Sequence, residues 1–185
     1  HGLHVVDCES NNGNGGSIRY YVVKEGAKGI ETFPGAFDRL RQEIQNDLKI
    51  TPEAFAKFKK NVEMVRAKVR MVVENTVVGG GCVDVLGAST KGNTLLQYFG
   101  LDHLAIRRAV DRSEAKNGRY CVGSWIPIVN EKEGHQEPAD VMLVLPWAFR
   151  EGLVEREKDY LRAGGKLLFP LPSPQLVSKN GVEEL

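Results

Sequence analysis

The second half of the chain predicts an α/β fold with a mainly parallel sheet, and three observations carry that prediction. Strand-like and helix-like segments alternate from Gly79 onward. The run Val141-Met142-Leu143-Val144-Leu145 is apolar without alternation, as a strand covered on both faces must be. A short β-prone run ends at Gly87, and a polar turn then opens a helix that closes at Gly100, the strand–turn–helix unit of doubly wound sheets. Together they predict a Rossmann-like three-layer sandwich over residues 79–185.

The elements follow in order. Leu3 to Cys8 and Ser17 to Val23 are β-prone, and Asn11-Asn12-Gly13-Asn14-Gly15-Gly16 between them is a run of turn formers that accept positive φ, so residues 1–24 predict a β-hairpin. Two strands alone are marginal in water. With the chain opening at His1, the hairpin is expected to belong to a larger sheet. Residues 25–78 predict a Gly-bearing linker from Lys24 to Gly35 and two helices. The first, Ala36 to Leu48, carries Phe37, Leu40, Ile44 and Leu48 on one stripe. The second starts with Thr51 as N-cap and Pro52 at the first helical position, where its missing N–H costs nothing. Its apolar residues Phe55, Phe58, Val62, Val65, Val69 and Val72 step by three and four, a stripe that needs a partner. Packing on the preceding helix and the next domain, as a two-helix strut, is expected; a coiled-coil homodimer is the other option.

In the α/β part the strands are expected at Cys82 to Leu86, Ile106 to Asp111, Val141 to Leu145 and Lys166 to Pro170, and the helices at Thr90 to Phe99 and Ala148 to Ala163. Gly164-Gly165 stops the last helix, and Pro170 and Pro172 end the strand after it. Gly123 to Ile128 reads as an ordered loop around Trp125.

Composition narrows the function classes. The 185 residues hold 25 Lys and Arg against 24 Asp and Glu, so no basic excess points to nucleic acid. No apolar run reaches the roughly 18 residues that span a bilayer, and no signal peptide is visible, which predicts a soluble cytoplasmic protein with no membrane partner. Cys8, Cys82 and Cys121 are odd in number and far apart, the pattern of reduced thiols, with Cys82 a buried structural one. His1, His4, His103 and His135 show no metal-ligand spacing, so no metal is expected.

The turn after Gly87 is the chemical focus. Ser89, Thr90, Lys91, Gly92, Asn93 and Thr94 lie where a helix N-terminus offers free N–H groups and positive dipole to an anion. The P-loop pattern fails, because Lys91 precedes Gly92 and Asn93 follows it. The dinucleotide fingerprint fails too, because Ser89 stands at its second glycine and Gly79-Gly80-Gly81 precedes the strand. Two readings stay open: a phosphate or diphosphate held by the turn, or Ser89 or Thr90 capping the helix with Lys91 solvated. Asp111, at the carboxyl end of the second strand, is either a ribose-binding acid or a loop cap. Trp147 follows the third strand and either walls the cleft, stacking on a base, or packs in the core.

Gly87-Ala88-Ser89-Thr90-Lys91-Gly92-Asn93-Thr94-Leu95-Leu96-Gln97-Tyr98, then Val110-Asp111-Arg112, Gly118-Arg119-Tyr120, Ile126-Pro127-Ile128, Leu145-Pro146-Trp147 and Gly164-Gly165-Lys166 occur in this order. With these motifs the stretch Cys82 to Pro172 resembles the carboxyl-terminal domain of S-adenosylmethionine-dependent sugar C-methyltransferases, which methylate a carbon of nucleotide-linked deoxysugars. His1 to Arg19 is similar to the last hairpin of that family's methyltransferase domain. The resemblance implies a substrate-side domain that binds a nucleotide-diphosphate sugar through Ser89 to Thr94, Asp111 and Trp147. It also implies an upstream methyltransferase domain that binds S-adenosylmethionine, with no cofactor and no catalytic residue expected on this chain. Two departures stand out: Ala148 replaces an asparagine common in the family, and Val122-Gly123-Ser124-Trp125 replaces a Pro-Gly-Thr-His-like loop. The alternative to substrate binding is a degenerate Rossmann-like assembly module that uses the Phe55 to Val72 stripe as its interface.

Overall fold

A computed structural model of the chain describes residues 1–28 and 33–185. Part of the linker expected between Lys24 and Gly35 therefore lies outside the described residues. The chain divides into two compact units, His1–Lys59 and Lys60–Leu185.

In the first unit β1 (Leu3–Asn11) pairs antiparallel with β2 (Ser17–Lys24), with the register broken by a bulge between Val5 and Asp7. The strands run past the expected ends because Glu9, Ser10 and Asn11 still find partners in Arg19, Ile18 and Ser17. Helix α1 (Ala36–Asp47) is tied to β1 by a bidentate ion pair, Arg39 Nε and Nη2 donating to the two Asp7 oxygens at 2.8 and 2.6 Å. That guanidinium outweighs the effect of burial and holds the Asp7 carboxyl below the usual aspartate range. Of the expected α1 stripe, Phe37, Ile44 and Leu48 are exposed.

The unit boundary falls inside α2 (Pro52–Val78). Phe55 and Phe58 are exposed, whereas Val65, Val69 and Val73 are buried in the core of the second unit.

The second unit is built on a seven-stranded sheet of order β5-β4-β3-β6-β7-β8-β9. Its strands are β3 (Val83–Leu86), β4 (Arg108–Asp111), β5 (Ile128–Asn130), β6 (Val141–Val144), β7 (Lys166–Phe169), β8 (Gln175–Ser178) and β9 (Gly181–Glu184). The β3–β4, β4–β5, β3–β6 and β6–β7 pairs are parallel, and β7–β8 and β8–β9 are antiparallel. Successive strand residues serve opposite faces, as the pleat dictates. Val83, Val85, Val141 and Leu143 pack with Val69 and Val73 of α2 and with Leu96 and Phe99 of α3 (Thr90–Phe99). Leu86, Met142 and Val144 pack on the other face with Leu153 of α5 (Arg150–Arg156) and Tyr160 and Leu161 of α6 (Lys158–Arg162). Both faces are thereby covered, which is why β3 and β6 tolerate no polar alternation. The polar exception, Asp84, is fully buried and answered by Arg107 Nη2 at 2.8 Å and Arg108 Nε at 3.1 Å.

Three details depart from the expectations. Strand β5 begins at the end of the Gly123 to Ile128 loop and leads into the short helix α4 (Glu131–Gln136), two elements beyond the strands and helices expected from the sequence. The helix expected from Ala148 to Ala163 is a 3₁₀ turn followed by α5 and α6, broken at Glu157, whose backbone sits at φ −93°, ψ 17°. The sheet also continues past Pro172 into β8 and β9.

Candidate functional site

The order of the strands reverses beside β3: the chain moves from β3 outward to β4 and β5, then returns to β6 on the other side. Connections part at such a reversal and leave a crevice at the carboxyl ends of the strands, where open α/β sheets bind ligands. Here the loops after β3, β4, β5 and β6 enclose a cleft of about 480 Å³. Leu86, Val110, Pro146, Phe149 and Leu153 give it apolar walls.

The first of those loops is set by two glycines. Gly87 turns the chain at φ +85°, and a Cβ there would come within 2.9 Å of the Pro146 ring. Gly92 lets the first turn of α3 lie directly on Leu145, whose Cδ1 would be 2.5 Å from any added Cβ. Between them Ser89 is the N-cap: extended at φ −85°, ψ 159°, its hydroxyl accepts from Gly92 N at 3.1 Å. Gly87 N donates to Val110 O at 2.7 Å and Ala88 N to Asp111 Oδ2 at 2.7 Å, which fastens the turn to the end of β4.

Both oxygens of Asp111 accept hydrogen bonds. Besides Ala88 N it accepts from Ser113 N at 2.9 Å and from Lys116 Nζ at 2.9 Å, and Lys116 also donates to Ala88 O at 3.0 Å. Burial by itself would raise this carboxyl, but the two amides and the ammonium together hold it below the usual aspartate range.

Of the residues singled out in the sequence, Ser89 and Asp111 line the cleft. Thr90, Lys91 and Thr94 are exposed on the first turn of α3, Gly92 is buried, and Asn93 is half-buried with its Oδ1 enclosed and without a hydrogen-bond partner. Trp147 packs against the core face that holds Leu153 and Tyr160, while Phe149, two residues on, presents an exposed ring to the cleft.

Sequence reasoning missed the far wall. Arg112, Glu131, Gly152 and Arg156 complete the lining. Arg156 Nη1 lies 3.1 Å from Glu131 Oε1, and its Nε and Nη2 hold Glu157 Oε1 at 2.9 and 2.8 Å. Glu157 is 3% exposed and receives His135 Nε2 on its other oxygen at 3.0 Å. These contacts join α4 to α5. Arg112 at the mouth is exposed and forms no ion pair among the described residues. The cleft thus offers apolar contact, a helix N-terminus, the guanidinium of Arg112 and the carboxylates of Asp111 and Glu131, groups suited to a polar anionic molecule that also presents hydrogen-bond donors.

Elsewhere, Cys8 and Cys121 are buried and Cys82 half-buried, all three as free thiols, and burial pushes the Cys121 thiol up. No group of His, Cys, Asp and Glu among the described residues is placed to hold a metal ion, and no helix among them is long and apolar enough to cross a membrane.

Residues 12–172 match the family model described as the C-methyltransferase C-terminal domain. The chain is also 33% identical over 178 residues to the C-methyltransferase NovU of Streptomyces niveus, an alignment that covers 96% of this chain and 42% of that protein. The chain therefore spans less than half the length of the curated relative it matches.

Proposed function

Because the chain belongs to the C-methyltransferase C-terminal domain family, we propose that it is the substrate-side domain of an S-adenosylmethionine-dependent sugar C-methyltransferase and binds a nucleotide-diphosphate sugar. The observation that carries this reading is the cleft of about 480 Å³ at the carboxyl ends of β3 to β6, with the α3 N-terminus and Arg112 at its edge. On this reading residues 79–185 are a Rossmann-like half. Residues 1–24 are the closing hairpin of an upstream methyltransferase domain, and residues 25–78 connect the two. The diphosphate lies over Ser89 to Thr94, where Lys91 and Arg112 supply charge and the helix dipole adds to it.

S-adenosylmethionine supplies the methyl group, and a helix N-terminus beside an arginine does not suit its sulfonium, so the cofactor belongs to the upstream domain. Bound there, it would supply an electrophilic methyl group to the carbon beside the sugar's keto group. This chain's residues hold and orient the sugar nucleotide. By itself the chain neither binds the cofactor nor methylates. Glu131 and Arg156 line the cleft together with the turn residues Gly87 to Ser89.

Calorimetry tests the reading. A nucleoside diphosphate binds weakly to the chain, and Lys91→Ala or Arg112→Ala weakens it about ten-fold each if the side chain meets a phosphate. S-adenosylmethionine gives no heat above dilution. Micromolar affinity for the cofactor, or no nucleotide binding at millimolar concentration, contradicts the assignment.

A further inference from the structure

The acid at the end of the second strand of a dinucleotide-type sheet takes the hydroxyls of a ligand's pentose. In this chain that acid is Asp111, whose two oxygens already accept from Ala88 N, Ser113 N and Lys116 Nζ, three of the roughly four hydrogen bonds a carboxylate can take. Turning it to a ligand would release the turn that β3 and α3 share. One strand further along, Glu131 begins α4 immediately after β5 and lines the same cleft. Its Oε1 is fixed by Arg156, and its Oε2 has no partner among the described residues. Arg156 is in turn anchored by the buried Glu157, which His135 contacts from α4, so the guanidinium that fixes this carboxylate is itself held in place. A carboxylate with one oxygen fixed and one open is an acceptor for a hydroxyl hydrogen.

Resting on the nucleotide reading above, we infer that Glu131, not Asp111, binds the pentose hydroxyl of the nucleotide, with Arg156, Glu157 and His135 as positioning residues. Recognition of the pentose has moved one strand outward, because the inner carboxylate serves the fold. The carboxylate also disfavours a phosphate at that place, which keeps the diphosphate on the side of the Ser89 turn and Arg112 and so fixes the direction in which the nucleotide lies.

The test compares thymidine diphosphate with 2′,3′-dideoxythymidine diphosphate, which differ by one hydroxyl, by calorimetry on the full chain and on Glu131→Ala and Arg156→Ala. In the unaltered chain, loss of the hydroxyl weakens binding about ten-fold. In Glu131→Ala both ligands bind equally, at the affinity of the dideoxy compound, and in Arg156→Ala the difference narrows. An amide spectrum and a melting curve establish that each variant is folded. Equal binding of the two ligands by the unaltered chain overturns the inference without touching the nucleotide reading, and needs no variant. A difference that survives Glu131→Ala also overturns it. Failure of both nucleotides to bind the unaltered chain overturns the nucleotide reading and this inference with it.

Discussion

Asp111 shows how one side chain decides between fold and ligand. Its three hydrogen bonds join β4, the turn after β3 and the loop that carries Lys116. Asp111→Asn removes the charge that strengthens them and is expected to destabilise the chain by roughly 1.5–3 kcal/mol at pH 7. The folded carboxyl titrates below its unfolded value. Its contribution is therefore complete above the ordinary aspartate pKa and is lost as pH falls below about 4 toward the folded value. Melting curves of the two proteins should accordingly converge on acidification; a gap that stays constant from pH 7 to 3 would contradict the role. Gly92 makes the complementary case. An added methyl meets Leu145 at 2.5 Å, so Gly92→Ala should lower stability by about 1–3 kcal/mol through overpacking, read by denaturant titration. An unchanged midpoint would mean that α3 slides freely on β6.

At the scale of elements, α3 is the piece that links stability to the site. Ser89→Ala leaves Gly92 N without its capping hydroxyl and should cost about 1 kcal/mol of stability. This helix was legible in the sequence from Thr90 to Phe99 because every device that defines it is local: a serine cap, apolar spacing and Gly100 at φ +66°. The far wall was not legible, for physical reasons. Strand β5 is three residues, Ile128–Asn130, and exists by pairing with β4, so no alternation announces it. Without β5, Glu131 has no visible place. The break at Glu157 is likewise tertiary, since its carboxylate is buried between Arg156 and His135, whereas Ala148 to Ala163 taken alone reads as one helix. Asp111 was recognisable at its strand end, but its partners Ser113 and Lys116 lie in a loop whose course the sequence does not announce. The hairpin shows the same limit. Its strands follow from composition, yet Leu3, Val5, Ile18, Tyr20 and Val22 are exposed. If they belong to a larger sheet or to a second copy, amides of β1 and β2 should exchange slowly. Fast exchange throughout Leu3 to Val23 would leave the ribbon without that role.

For the whole molecule, the proposed function gives the sheet of residues 60–185 the task of holding a sugar nucleotide and assigns methyl transfer to a methyltransferase domain outside this chain. The match over residues 12–172 and the 33% identity to one C-methyltransferase place the chain in its family, while the cleft carries the claim of substrate binding. The most direct measurement is an amide chemical-shift map of the chain titrated with thymidine diphosphate. Saturable shifts confined to Gly87–Thr94, Val110–Arg112, Glu131 and the Phe149–Arg156 segment are expected, with the Gly87–Thr94 shifts lost in Lys91→Ala. Shifts confined to other parts of the chain, or none at millimolar ligand, would contradict the proposed function and leave Ser89 and Asp111 as structural caps.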